Sequence, residues 1–355
     1  MSREIKNIFK VSSIYMATII GAGFASGQEI VQFFSNYYQG GFYGIILAGL
    51  LFSVIGYVVL DQVYRERIQS YEELLFPAVG WFIGWVVEIA VSIFMLSVFC
   101  IMIAGAGNIF QDKLGLPFTV GVMLMAGLCM IALLTDMKGM VVLSSFVTPI
   151  LIIGIIVVGV LIIAFKDVSV FSASEVFLKV TNNWVFSSLL YVGYNSIISI
   201  VIMSSLLPQL KTRRVGKMGG IIGGFMLCFI AFILNIVMFV IHPESLVKEL
   251  PVLSITEKYS SLLSCVYSVI LWLAMFISAV TSGYCFIDRI HSKTKVNRKV
   301  LTIIICLFII PLSNFGFSNL ISKVYPIFGY IGLFIVAVIL IQSIKTNFYS
   351  RPLKR

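Results

Sequence analysis

The sequence predicts an all-α membrane protein of ten transmembrane helices, and three observations carry that prediction. Of the 355 residues, 60% are hydrophobic and 11% charged, against roughly 25% charged in a soluble domain. Ten apolar segments of near-spanning length can be drawn, at 8–36, 41–62, 79–109, 117–135, 139–165, 184–207, 217–241, 263–288, 299–317 and 324–344, where a helix needs about 20 apolar residues to cross hydrocarbon. The lysines and arginines between them divide by alternate loops: nineteen on one side, and on the other six, Lys113, Lys166, Lys179, Lys248, Lys258 and Lys323. Cytoplasmic loops hold such an excess, which places both termini in the cytoplasm of a multi-pass protein.

The net charge of +10 is therefore topological. Basic residues that bind nucleic acid cluster on a polar face rather than between apolar runs, so no nucleic-acid partner is expected; the lipid bilayer is. The six cysteines lie in or beside apolar segments without a C-x-x-C pair or zinc-ligand spacing. His242 and His291 fall in loops, so no nucleophile–histidine constellation is available within the membrane and an enzyme is not expected. Arg3, Lys6 and Lys10 before an apolar run could open a signal peptide. The apolar periodicity resuming at Ile30, Val31, Phe33 and Phe34 argues instead for one helix that is interrupted and continues.

That interruption, in the first span, reads Gly21-Ala22-Gly23-Phe24-Ala25-Ser26-Gly27-Gln28-Glu29. Each of its glycines penalises continuous helix by about 1 kcal/mol relative to alanine. The sixth span carries a shorter polar stretch, Tyr191-Val192-Gly193-Tyr194-Asn195-Ser196, and is expected to break as well. Five spans separate the two, so they cross in opposite senses, as a five-plus-five inverted repeat requires. The expected division is 1–165 for the first repeat, 166–182 for an extracellular connection, 183–345 for the second repeat and 346–355 for a cytoplasmic tail. Interrupted helices at matched positions mark a transporter's binding site. Glycines can instead serve close packing, the reading preferred for Gly219, Gly220, Gly223 and Gly224.

A broken helix in lipid leaves backbone groups seeking partners. Amides near Phe24 to Gly27 suit a carboxylate, and carbonyls near Ala17 to Ile20 suit a cation. Gly21, Ala22, Gly23, Phe24, Ala25, Ser26 and Gly27, with Tyr191, Gly193, Tyr194, Asn195 and Ser196, are thus the expected substrate-binding residues. Glu88 lies about 13 Å into the third span at 1.5 Å per residue, where it must face the bundle. It is a candidate counter-ion for a substrate amine, a proton carrier, or a structural acid. Glu29, the second coupling or proton-carrying candidate, is also explained by the dipole of its own helix. Asn235 is a buried polar residue for a bond between helices or a second ion.

The glycine-rich stretch from Gly21 to Glu29 resembles the opening of the YkvI-like proteins, bacterial membrane proteins of the amino-acid/polyamine/organocation transporter superfamily. The resemblance runs along the whole chain and implies a LeuT-type fold in the bacterial cytoplasmic membrane. It implies a symporter for a small, amino-acid-like solute working by alternating access, with no cofactor beyond a coupling ion. It further implies a sodium site from the carbonyls of Ala17, Ile20 and Ser278 and the hydroxyls of Thr281 and Ser282. Proton-coupled relatives place a span-five lysine there, and 139–165 contains none, which favours sodium over a proton. Phe24 stands where a second sodium site would want asparagine. His242 to Ser261 resembles the hairpin that caps the outer vestibule. The rival expectation is a membrane receptor that senses its ligand with the same fold; an ion channel is a further one.

Overall fold

In hydrocarbon every backbone N–H and C=O must find its partner within the chain, so apolar runs of this length close into helices. The computed structural model describes residues 3–134, 137–164, 180–239 and 248–349, and every regular element among them is helical. In order these are α1 (Arg3–Ile19), α2 (Ala22–Ala25), α3 (Gln28–Phe33), α4 (Gln39–Glu66), α5 (Tyr71–Val79), α6 (Trp81–Leu114) and α7 (Phe118–Leu134). There follow α8 (Met137–Ala164), α9 (Trp184–Ser204), α10 (Arg213–Phe239), α11 (Pro251–Tyr259), α12 (Ser261–Lys293), α13 (Arg298–Leu312) and α14 (Phe317–Tyr349). Seven of them, α4, α6, α9, α10, α12, α13 and α14, are long and apolar enough to cross a membrane. The helix α7 and the Pro149–Ala164 part of α8 are apolar but shorter. The first expected span is divided among α1, α2 and α3. Most of the expected connection at 166–182 lies outside the described residues; α14 runs on to Tyr349, past the Lys345 end of its apolar span and into the expected tail.

The closest helix pairs are α4 with α10, α9 with α14, and α6 with α12. Glycine makes the first pair possible. The backbones of Gly56 and Gly220 touch, Gly224 lies on the Ser53 backbone, and a methyl at either Gly220 or Gly224 would overlap main-chain atoms. The packing role expected for these glycines is the one observed. Bonds between helix ends keep to the two sides of the loop division. Lys10 reaches Gln209, Glu4 approaches Arg214, and Arg213 grips Asp61 at 2.6 Å. At the other end Lys113 pairs with Glu257 at 3.1 Å and the Tyr37 hydroxyl donates to the Thr181 carbonyl.

The expected break of the sixth span is not there. Tyr191 to Ser196 lie inside α9, an uninterrupted helix of 21 residues. Gly193 is used for contact: its Cα faces the carbonyl of Gly329 in α14, and Gly332 packs on the Gly193 carbonyl. Asn195 stays in the helix by donating Nδ2 to the Tyr191 carbonyl one turn back, at 3.1 Å. A single glycine costs a helix about 1 kcal/mol, and here it permits the close apposition of two helices.

Candidate functional site

The first span is interrupted twice. After Ile19 the chain leaves the helix, and the Gly21 amide turns to the Ile19 carbonyl at 2.8 Å instead of Ala17. The carbonyls of Ala17, Thr18 and Ile20 consequently receive no N–H across the break, and the amides of Ala22, Gly23 and Phe24 donate to no described backbone group. The free amides therefore sit earlier than the expected Phe24 to Gly27, because Ala25, Ser26 and Gly27 bond back within the α2 turn. A second break at Ser26–Gly27 depends on Gly27, whose φ of 83° lies in the left-handed region that glycine enters without strain. Ala22 to Gly27 are all buried.

Neighbouring helices hold this segment by its carbonyls. The Tyr267 hydroxyl of α12 donates to the Ala25 carbonyl at 2.5 Å, and the Val252 amide of α11 to the Ser26 carbonyl at 3.0 Å. Of the segment expected as a hairpin between spans seven and eight, α11 is docked on α2; 240–247 lie outside the described residues. Ser278 comes to the first break, its Oγ 3.2 Å from where a Gly21 side chain would begin. Thr281 and Ser282 follow one turn later; neither makes a side-chain hydrogen bond to a described residue, so neither bonds back to its own helix.

Glu29, in the first turn of α3, is 4% exposed, and its carboxylate folds back over Gly23. The Tyr194 hydroxyl donates to Glu29 Oε2 at 2.6 Å, its one hydrogen bond among the described residues. No lysine, arginine or histidine among the described residues is within ion-pair distance of it. Aromatic rings from four helices pack around Tyr194, whose hydroxyl holds the carboxylate. Tyr194 stacks on Tyr325 of α14 at 4.4 Å, Phe33 of α3 lies 5.6 Å from Tyr191 and 5.4 Å from Tyr194, and Phe94 of α6 meets Tyr325 at 6.1 Å. Among the described residues the buried hydroxyls of Tyr191 and Ser196 have no hydrogen-bond partner.

Replacing Gly23 by alanine would drive a methyl into the Glu29 carboxylate. The expected result for Gly23→Ala is a folded protein whose solute response falls at least tenfold, checked by ligand-induced thermal shift; an unchanged response would mean that the carboxylate position does not matter.

Glu88 is elsewhere engaged. It is 1% exposed and receives Arg289 Nη1 at 2.8 Å and Lys293 Nζ at 3.1 Å from the end of α12. The structure therefore corrects the expectation of a substrate counter-ion or proton carrier at Glu88, whose charge is already matched by two cations. Gly193 is likewise corrected from substrate binding to helix contact. Asn235 bonds between helices as expected, its Oδ1 accepting from Ser35 at 2.8 Å. Tyr325, Phe94 and Phe33 were missed, since aromatics in apolar spans ordinarily read as packing.

No family model matches the chain. It is 27% identical over 339 residues to YkvI of Bacillus subtilis, an uncharacterized membrane protein, covering 94% of this chain and 95% of that one. Among solved structures it is similar to a point mutant of the Eremococcus coleocola manganese transporter, with a TM-score of 0.63 at 13% identity over 97% of this chain and 88% of that one. The chain has a membrane-transporter fold. The inward-facing conformation of Mhp1, a LeuT-type protein, matches with a TM-score of 0.60 at 10% identity, over 94% of this chain and 75% of that one.

Proposed function

We propose that the chain is a secondary transporter that moves a small amino-acid-like solute by alternating access, as a symporter driven by sodium. On this reading ten spans form a five-plus-five inverted repeat in the bacterial cytoplasmic membrane with both termini in the cytoplasm. The observation that carries it is the doubly broken first span: the carbonyls of Ala17, Thr18 and Ile20 and the amides of Ala22, Gly23 and Phe24 have no backbone partner among the described residues, and the buried Glu29 carboxylate and the Ser278 hydroxyl of α12 lie beside the break. Unsatisfied backbone at this depth is tolerated where it serves a bound polar solute or ion.

Sodium has support from direction as well as from donors. Ser278 of α12 meets the break at Gly21, and on this reading α1 and α12 cross in opposite senses. On this reading the Ala17 carbonyl, one turn before Gly21, and the Thr281 and Ser282 hydroxyls, one turn after Ser278, are the further donors. Oxygen donors of this kind suit a hard cation. Sodium is expected to raise the melting temperature of the purified protein relative to potassium, since a ligand bound to the folded state stabilises it. Thr281→Ala and Ser282→Ala are expected to melt normally in potassium while losing the sodium response, with half-saturation moved up by tenfold or more. An unchanged sodium response in both variants would sink the ion site. Sodium-driven accumulation in proteoliposomes separates a transporter from a receptor, which binds without accumulating.

A further inference from the structure

We infer that Glu29, with the rings of Phe33, Tyr191, Tyr194 and Tyr325, is a seat for an ammonium group, so that the solute class is a small organic cation or the cationic end of a zwitterion. The inference rests on the transporter reading only for what happens after binding. A buried carboxylate costs several kcal/mol unless a positive charge or sufficient hydrogen bonds offset it. Glu88 meets that requirement within the protein, through Arg289 and Lys293. Glu29 does not: the Tyr194 hydroxyl is neutral, and no described cation reaches the carboxylate. Such a group is completed by a cation from outside the chain or by a proton.

The surroundings favour an ammonium ion over a bare metal ion. Aromatic faces attract ammonium groups, more strongly when water is excluded, whereas a hard metal ion needs several oxygen ligands at once. Phe33 and Tyr191 are fully buried or nearly so, and the Tyr191 hydroxyl has no partner among the described residues, which leaves it available to accept from an N–H of the incoming group. The Tyr194 hydroxyl, 2.6 Å from Oε2, holds the place of one ammonium donor. The side chains of this seat carry no positive charge, so a solute's own carboxylate is left to the free amides of Ala22, Gly23 and Phe24.

The test uses the full chain in nanodiscs and pairs of probes that differ in charge. Methyl esters of glycine, alanine and leucine keep the ammonium group and lose the carboxylate; the N-acetyl amino acids do the reverse; choline is set against its uncharged isostere 3,3-dimethylbutanol. Ammonium members are expected to raise the melting temperature and their partners are not. Glu29→Gln is expected to abolish the response. Tyr194→Phe removes the competing hydroxyl and is expected to lower half-saturation by up to about tenfold, which keeps the test available should Glu29→Gln not fold. Equal shifts from uncharged or acetylated probes, a full response in Glu29→Gln, or no shift with any ammonium probe would each overturn the seat. Proteoliposome uptake of the same probes separates the two readings. Ammonium probes that bind without accumulating leave the seat and remove the transporter, while accumulation of N-acetyl amino acids leaves the transporter and removes the seat.

Discussion

Glu88→Ala is expected to destabilise the protein by about 3–5 kcal/mol, the range seen when one partner of a buried ion pair is removed. Arg289, whose side chain is 10% exposed, would be left charged and without its carboxylate. The guanidinium also lies over the Tyr71 ring at 5.4 Å and Lys293 over Trp85 at 4.4 Å, so the loss loosens α5, α6 and α12 together. Lys293 is 34% exposed and can turn to water; Lys293→Ala is expected to cost less than about 1 kcal/mol. Thermal unfolding in matched detergent measures both. Because Glu88 is committed to this ion pair, the folded fraction of Glu88→Ala should keep its solute response. Near-wild-type melting combined with a lost response would return Glu88 to the role of substrate counter-ion.

Gly193→Ala is expected to be comparably severe. Overpacking a core commonly costs about 1–3 kcal/mol and occasionally more. Here the obstacles are the main-chain carbonyl of Gly329 and the amide of Leu333, neither of which can rotate away. Separating α9 from α14 would also part the Tyr194 and Tyr325 rings, which stack across that seam, so both stability and ammonium binding should fall. Gly127→Ala in α7 is the matched control. Its added methyl meets nothing within 4 Å, and helix propensity alone predicts no loss and a gain of up to about 1 kcal/mol. If the two substitutions melt alike, the close approach of α9 and α14 is not what makes Gly193 necessary.

Much of the architecture was legible because hydrocarbon leaves a polypeptide few choices. Long apolar runs become helices, and the glycine cluster from Gly21 to Gly27 does break the first span. Composition alone was ambiguous where a glycine can serve either of two ends. In the sixth span Gly193 looks like an interruption, and only its contact with Gly329 and Gly332 shows that it joins two helices. The partners of Glu88 were hidden because Arg289 and Lys293 read as loop charges, while α12 in fact runs on to Lys293. The short α5 had a local signal: Ser70 and Glu73, a capping pair, with the Ser70 hydroxyl accepting the Glu73 amide at 3.3 Å. Glu29 was a candidate from sequence, but its companions Tyr325 and Phe94 come from distant helices and carry no local mark.

The bond from the Val252 amide to the Ser26 carbonyl gives the protein a built-in clock. That amide proton can exchange with solvent deuterium when the short helix at Pro251 lifts off the broken segment beneath it. Its exchange rate therefore counts departures of α11 from α2, one residue reporting how often this contact opens, without any solute having to be identified first.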